Sequence, residues 1–195
     1  KGSLARTLKD VRPTFFFGVP RVWEKMQESV LKEISKLTGT KKSIFEWAQK
    51  TATAKILAQF QGRESDSEVE FMLAKTLVLK KIHHEMGLDK CRNFYSGAAP
   101  ITKETLDFFV SIGIPLCEVY GLSESTGPHG HGVFRNNRLC SIGPVRMINR
   151  SKLLERDDDG AGELAIYGRH VFMGYLNDEQ KTNETMDNEG WYVIF

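Results

Sequence analysis

Apolar positions along this chain change their spacing near residue 87. From Arg21 onward, Trp23, Met26, Val30, Ile34 and Leu37 recur at three- and four-residue steps with charged residues between them. That is the stripe of an amphipathic helix, and Gly39 is expected to stop it. The same periodicity predicts helices over Ser43 to Phe60 and Val69 to Met86, separated by the polar loop Gln61 to Ser67. The three are expected to form a surface layer. Ahead of them, Pro13 to Val19 (PTFFFGV) is a continuous apolar run closed by Gly18 and Pro20. It reads as a buried strand of a parallel sheet, with a membrane-dipping hairpin as the weaker alternative.

After Gly87 the pattern turns to strands and turns. Cys91 to Ser96 reads as a strand, Gly97 to Pro100 (GAAP) as a turn, and Thr102 to Ser111 as a helix opened by a threonine N-cap and ended at Gly113. A strand at Ile114 to Val119 completes a βαβ unit, whose crossover makes its two strands parallel. The turn at Gly97 and the stretch Tyr120-Gly121-Leu122-Ser123-Glu124 then both follow carboxyl ends of strands, where open α/β sheets bind ligands. From Gly127 glycine is frequent and strands are short: residues 162 to 168, 171 to 175 and 191 to 195. The expected architecture is α/β, a parallel-sheet layer with flanking helices followed by a small β-barrel-like or twisted antiparallel region. The boundary is placed within Arg135 to Ser141, giving an α/β part over 1–135 and a β-rich part over 136–195.

Composition narrows the function classes. Of 195 residues, 41% are hydrophobic and 27% charged, which suits a folded globular chain rather than a disordered one. Lys plus Arg (27) nearly balances Asp plus Glu (25), for a net charge of +2. Neither nucleic-acid binding nor a polybasic membrane anchor is expected from that balance. Three widely spaced cysteines, Cys91, Cys117 and Cys140, offer neither a disulfide framework nor a CxxC zinc site. Reduced thiols and a cytoplasmic setting are expected. No apolar run is long enough to span a bilayer, and no signal-peptide core is visible. The chain begins at Lys1 and stops at the apolar run Val193-Ile194-Phe195, so it is expected to be a piece of something longer.

Two loops carry candidate chemistry. Gly97, Ala98 and Ala99 let backbone N–H groups approach a flat or anionic ligand, although tight turns use the same residues. The second loop offers an aromatic ring to stack on a base (Tyr120), a glycine (Gly121), a hydroxyl for phosphate (Ser123) and a carboxylate suited to Mg²⁺ (Glu124). Other patterns fail on spacing. Gly39 to Ser43 lacks the glycine a phosphate-binding P-loop needs before its Lys-Ser pair. Gly127, Gly130 and Gly132 do not form GxGxxG, and His83-His84 sits on a charged helical stretch. His129 and His131 have no third ligand at convincing spacing. Asp157 to Gly160 lacks the calcium-loop alternation.

Taken in order, these residues resemble a known family. Tyr120-Gly121-Leu122-Ser123-Glu124 resembles the YGxTE motif of the acyl-adenylate-forming superfamily, with Ser in place of Thr. Ser96 to Pro100 resembles its adenine-side turn. Gly162-Glu163-Leu164 with Gly168 and Gly174-Tyr175 resembles its GEL…G…GY segment. The run Arg12-Pro13 to Lys25, with Tyr95 to Ile101, Leu122 to His129 and Gly168 to Tyr175, is similar to bubblegum-type long-chain fatty acyl-CoA synthetases over nearly the whole chain.

The resemblance implies ATP-dependent formation of an acyl-adenylate from a long-chain fatty acid, followed by displacement of AMP by the thiol of coenzyme A. It implies that Gly97, Ala98, Ala99, Glu118, Val119, Tyr120, Gly121 and Leu122 line the adenine pocket, that Ser123 touches phosphate, and that Glu124 holds Mg²⁺. A lipid substrate implies peripheral contact with membranes such as the endoplasmic reticulum. Against the family pattern, the upstream phosphate loop, the downstream Asp turn for the ribose and the C-terminal domain with its catalytic lysine are absent, and Ile148 stands where glycine is common. The chain alone is therefore expected to be catalytically silent. The alternative is a non-catalytic nucleotide- or acyl-binding module, or an inert truncated product.

Overall fold

The computed structural model describes residues 4–64, 68–145 and 149–194; Ile148 lies outside them. The chain forms two compact units, one of residues 1–118 with 132–143 and one of 119–131 with 144–195. This division differs from the expected 1–135 and 136–195, because the stretch after Glu118 packs with the later residues.

In the first unit, α1 (Leu4–Val11) leads into β1 (Phe15–Gly18), α2 (Pro20–Ile34) and α3 (Gly39–Phe60). Next come α4 (Glu68–Ala74), a π-helical turn (Lys75–Leu79), α5 (Lys80–Met86), β2 (Asn93–Gly97) and α6 (Lys103–Ser111). The strand β3 (Leu116–Leu122) begins here and ends in the second unit. β1 and β2 run parallel with Phe16 opposite Phe94, and β3 lies next to β2 in the sheet. Trp23, Phe94, Leu106, Phe109, Ile112, Ile114 and Leu116 form the core between this sheet and its helices.

Local chemistry explains the element boundaries. Pro20 opens α2 at a position where its missing N–H costs nothing. Thr102 caps α6 as expected, its hydroxyl accepting from the Thr105 N–H at 3.2 Å. α1 was not foreseen; it is held through buried Leu8, the Lys9–Glu85 pair at 2.8 Å and the Arg12–Asp89 ion pair.

Several expectations are corrected. Among the described residues β1 lies at the edge of its sheet and is only partly buried: Phe16 packs on the core, whereas Phe15 and Phe17 are 55% and 46% exposed. Its continuous apolar run hid this alternation. α2 ends at Ile34, with Ser35 bonding back to Lys32, and Gly39 begins α3 instead of stopping α2. α3 buries one face, through Ala48, Ala52, Ile56 and Phe60, against its neighbours.

In the second unit, β3 pairs antiparallel with β4 (Gly127–His131), Val119 opposite His131, across an irregularity at Tyr120/Gly121. β5 (Arg150–Leu154), β6 (Glu163–Tyr167) and β7 (Tyr192–Ile194) form an antiparallel three-stranded sheet. Ala165, Ile166 and Tyr192 are its buried residues. Among the described residues the expected β-rich region is this three-stranded antiparallel sheet. Residues 171–175, expected as a strand, form none, because their N–H groups are used elsewhere: Phe172 bonds the Glu124 carbonyl and Tyr175 the Thr182 hydroxyl. β5 and α7 (Glu179–Thr185) were not anticipated; α7 is polar all round and starts on the Asp178 cap. No helix among the described residues is long and apolar enough to cross a membrane.

Candidate functional site

Gly97, Ala98, Ala99 and Glu118 belong to the first unit. Gly97 is the last residue of β2 and is buried, while Ala98 and Ala99 are exposed beyond it. Ala98 adopts φ 69, a left-handed conformation that an alanine rarely occupies. Glu118 is half-buried on β3, and one carboxylate oxygen has no hydrogen-bond partner among the described residues. Burial raises its pKa above the usual carboxylate range, partly offset by backbone N–H groups of Ser141 and Cys140. Buried Ser96, whose hydroxyl is likewise unpartnered, lies beside Gly97 and was not singled out from sequence.

Val119 to Glu124 belong to the second unit. Tyr120, Gly121 and Leu122 were read as loop, but they are the last residues of β3. Tyr120 is half-buried, and its hydroxyl is raised by burial and then by Tyr192. Gly121 has a packing reason of its own: a Cβ there would lie 2.1 Å from the Gly127 carbonyl oxygen. A larger residue would therefore push β4 away before any ligand is considered.

Ser123, Glu124 and Ser125 form a 3₁₀ turn closed by the Thr126 N–H bonding Ser123 O at 3.1 Å. Ser125 is buried, and its hydroxyl accepts from the Leu122 N–H at 3.1 Å while facing the Leu122 and Gly127 carbonyls. This buried hydroxyl fixes the turn from below and leaves Ser123 exposed and Glu124 half-exposed.

Glu124 is not a free loop carboxylate. The Tyr175 hydroxyl donates to its Oε1 at 2.9 Å and lies 3.2 Å from the Tyr192 hydroxyl. With the Tyr175 proton committed to Glu124, Tyr192 is the donor in the second bond. The Tyr192 bond, burial and the Glu124 carboxylate together hold the Tyr175 hydroxyl well above its ordinary value.

Beside this, buried His129 meets partly buried His170. His129, fully buried on β4, places Nδ1 2.9 Å from His170 Nε2 and Nε2 2.5 Å from the Ser151 hydroxyl. The two rings stack at 5.1 Å and 17°. Burial lowers both histidine pKa values, and His170 lowers that of His129 further. The partner of His129 is thus His170, 41 residues away, a contact that no sequence spacing indicated. Tyr175 appeared in sequence only as part of the Gly-Tyr pair, and nothing in the sequence pointed to Tyr192 or His170 as its companions.

The arrangement suits an anionic ligand with a hard cation. Mg²⁺ takes few protein ligands and completes its shell with water and phosphate oxygens, so one oriented carboxylate beside a serine hydroxyl fits it. Among the described residues no group of three His, Cys, Asp or Glu side chains gathers to hold a metal without such a ligand.

The AMP-binding enzyme family matches residues 1–176, and the chain belongs to that family. Over 191 residues it is 47% identical to the long-chain-fatty-acid–CoA ligase ACSBG2 of Xenopus laevis, covering 98% of this chain and 26% of that protein. It is 45% identical to the ACSBG2 protein of Homo sapiens over 98% of this chain and 28% of the relative. The corresponding figures for ACSBG1 of Rattus norvegicus are 41%, 98% and 26%. The chain thus spans about a quarter of the length of the curated relatives it matches.

Solved structures share the fold. An ATP-bound RpMatB-BxBclM chimera superposes with a TM-score of 0.60 at 16% identity, over 97% of this chain and 29% of that one. A malonyl-CoA ligase ternary product complex with methylmalonyl-CoA and AMP gives 0.56 at 18% identity, over 97% and 31%.

Proposed function

We propose that this chain is the middle part of the adenylation domain of a long-chain fatty acid–CoA ligase. In that reading a fatty carboxylate attacks the α-phosphate of ATP, pyrophosphate leaves, and the coenzyme A thiol then displaces AMP from the acyl-adenylate. The observation that carries the reading is 47% identity over 98% of the chain to a protein named for this activity. Supporting it is a turn that presents Ser123 and Glu124 outward while Tyr175 orients the Glu124 carboxylate.

The residues have distinct tasks. Gly97, Ala98 and Ala99, which carry no bulky side chain, are assigned to adenine binding, as are Glu118, Val119, Tyr120, Gly121 and Leu122. Ser123 donates its hydroxyl to a phosphate oxygen. Glu124 holds Mg²⁺, which when bound offsets the negative charge of the phosphates. The anionic ligand is met by backbone amides and by the Mg²⁺ that Glu124 would hold rather than by a basic patch, in keeping with a net charge of only +2. A lipid substrate also makes peripheral membrane contact part of the proposal.

The test is palmitate-dependent exchange of pyrophosphate into ATP by a full-length protein carrying this chain. Glu124→Gln should reduce exchange by about 10²-fold or more with the fold intact; near-normal exchange would remove Glu124 from this role. The 195-residue chain alone should bind an acyl-adenylate analogue without turnover. Turnover above an enzyme-free blank would show it to be a complete catalyst.

A further inference from the structure

The segment 168–175 has no regular secondary structure, yet within the second unit it is tied closely to the turn bearing Glu124. The Thr126 hydroxyl donates to the His170 carbonyl at 2.8 Å, the Phe172 N–H donates to the Glu124 carbonyl at 2.7 Å, and the Tyr175 hydroxyl donates to the Glu124 carboxylate at 2.9 Å. Gly168 and Gly174 bound it with φ 152 and 147. A Cβ on Gly168 would lie 2.8 Å from His170 Nδ1, so the glycine leaves room for the imidazole.

That imidazole seats on fully buried His129, which reaches Ser151 on β5. One end of the segment is therefore fixed to the unit's interior. At the other end Tyr175 packs edge-on against Phe172 at 4.9 Å and accepts from Tyr192 on β7. A glutamate in a half-exposed turn has three rotatable bonds and would otherwise sample several rotamers. Here its backbone and one carboxylate oxygen are both fixed by the same segment.

We propose that residues 168–175 are a strap that positions Glu124, with Tyr175 setting the carboxylate and His170, seated on His129, holding the strap in register. This rests on the reading of Glu124 as the carboxylate that holds Mg²⁺ beside the nucleotide. Tyr175 and His170 are positioning residues; neither is assigned contact with substrate.

The test compares Tyr175→Phe, His170→Phe and His170→Gln in a full-length protein, by titrating Mg²⁺ at fixed ATP and fatty acid. Tyr175→Phe keeps the ring and removes the hydroxyl that donates to Glu124 and accepts from Tyr192. It should raise the half-saturating Mg²⁺ concentration about tenfold, with most of the maximal rate recovered at high Mg²⁺. His170→Phe should shift it in the same direction, and His170→Gln, which keeps a hydrogen-bonding group, should shift it less. An unchanged Mg²⁺ titration in Tyr175→Phe overturns the proposal, even if that variant is less stable. If the unsubstituted protein forms no acyl-adenylate, the functional reading fails instead. The strap is then judged on the 195-residue chain by amide exchange at Phe172: faster exchange in His170→Phe supports it, and unchanged exchange overturns it.

Discussion

The indole N–H of Trp23 lies 3.2 Å from the carbonyl oxygen of Tyr95 and 3.2 Å from that of Gly18, so one α2 side chain bridges the two parallel strands β1 and β2. Trp23 is fully buried and meets Phe16 and Phe109 edge-to-face at 5.2 and 4.9 Å. Trp23→Phe removes the shared donor and part of the ring; Trp23→Ala opens a cavity as well. Expected losses are about 1–3 kcal/mol for the first and about 3–5 kcal/mol for the second. Urea denaturation checks the ordering, and a negligible loss in Trp23→Phe would show that the N–H contributes nothing.

The three thiols should react in a fixed sequence. Burial, and then Glu118, pushes the Cys117 thiol up to about 12, and Cys117 is only 4% exposed. Cys91 is half-buried and also raised, chiefly by burial, while Cys140 is exposed. A thiol-reactive dye at about pH 7.5 should label Cys140 first, Cys91 more slowly and Cys117 only on unfolding. Mass mapping of time points would reveal a contrary order, and fast labelling of Cys117 would mean that β3 opens easily.

Much of the first unit was legible because its signals are local. The stripe Trp23, Met26, Val30 and Ile34, the Thr102 cap and the β2–α6–β3 unit depend on spacing and side-chain chemistry within a few residues. The burial of β1 was misread because Phe15-Phe16-Phe17 is apolar at every position, and only pairing on one edge decides which faces inward. In the candidate site, Glu124 was singled out from its motif. Its companions were not, since Tyr175 stands 51 positions away and His129 meets His170 across 41. No periodicity encodes such pairs; they exist only once the antiparallel sheet brings distant residues together.

Acid should weaken the second unit through its histidines. Burial holds His129 and His170 below the ordinary value of 6.5, and His170 adds to the effect on His129. In the window below 6.5 the unfolded chain therefore takes up protons before the folded one. Stability is present above about 6.5 and is lost as pH falls through the lower native values. His83 in the first unit shifts the same way, mainly by burial. The lowered carboxylates Glu85, Asp89 and Asp187 act only below their own ordinary values of 4.5 and 3.8. The melting temperature should accordingly fall between about pH 7 and about pH 5.5, before those three carboxylates contribute, with the burial-raised Glu118 acting in the opposite sense. Ring-proton titration by NMR would assign the fall to individual histidines. A melting temperature constant across that range would refute the assignment.

Gly121 separates packing from ligand contact at the candidate site. Its position in the motif suggests a glycine kept small for a nucleotide, but a Cβ there would also stand 2.1 Å from the Gly127 oxygen, 2.7 Å from its carbonyl carbon and 3.0 Å from Pro128 Cα. All three are backbone atoms, which cannot rotate away as a side chain can. Gly121→Ala must therefore spread β3 from β4 at the point where their register already shifts. Overpacking of this kind costs about 1–3 kcal/mol, which for a chain of this size is a fall of about 2–12 °C in melting temperature. Because Ser125 bonds both Leu122 and Gly127, the spread should also loosen the Ser123–Ser125 turn and raise amide exchange at Thr126. If Gly121→Ala melts normally with unchanged exchange and only nucleotide affinity falls, the glycine serves the ligand alone, and the backbone approach seen at Gly127 is not what requires it.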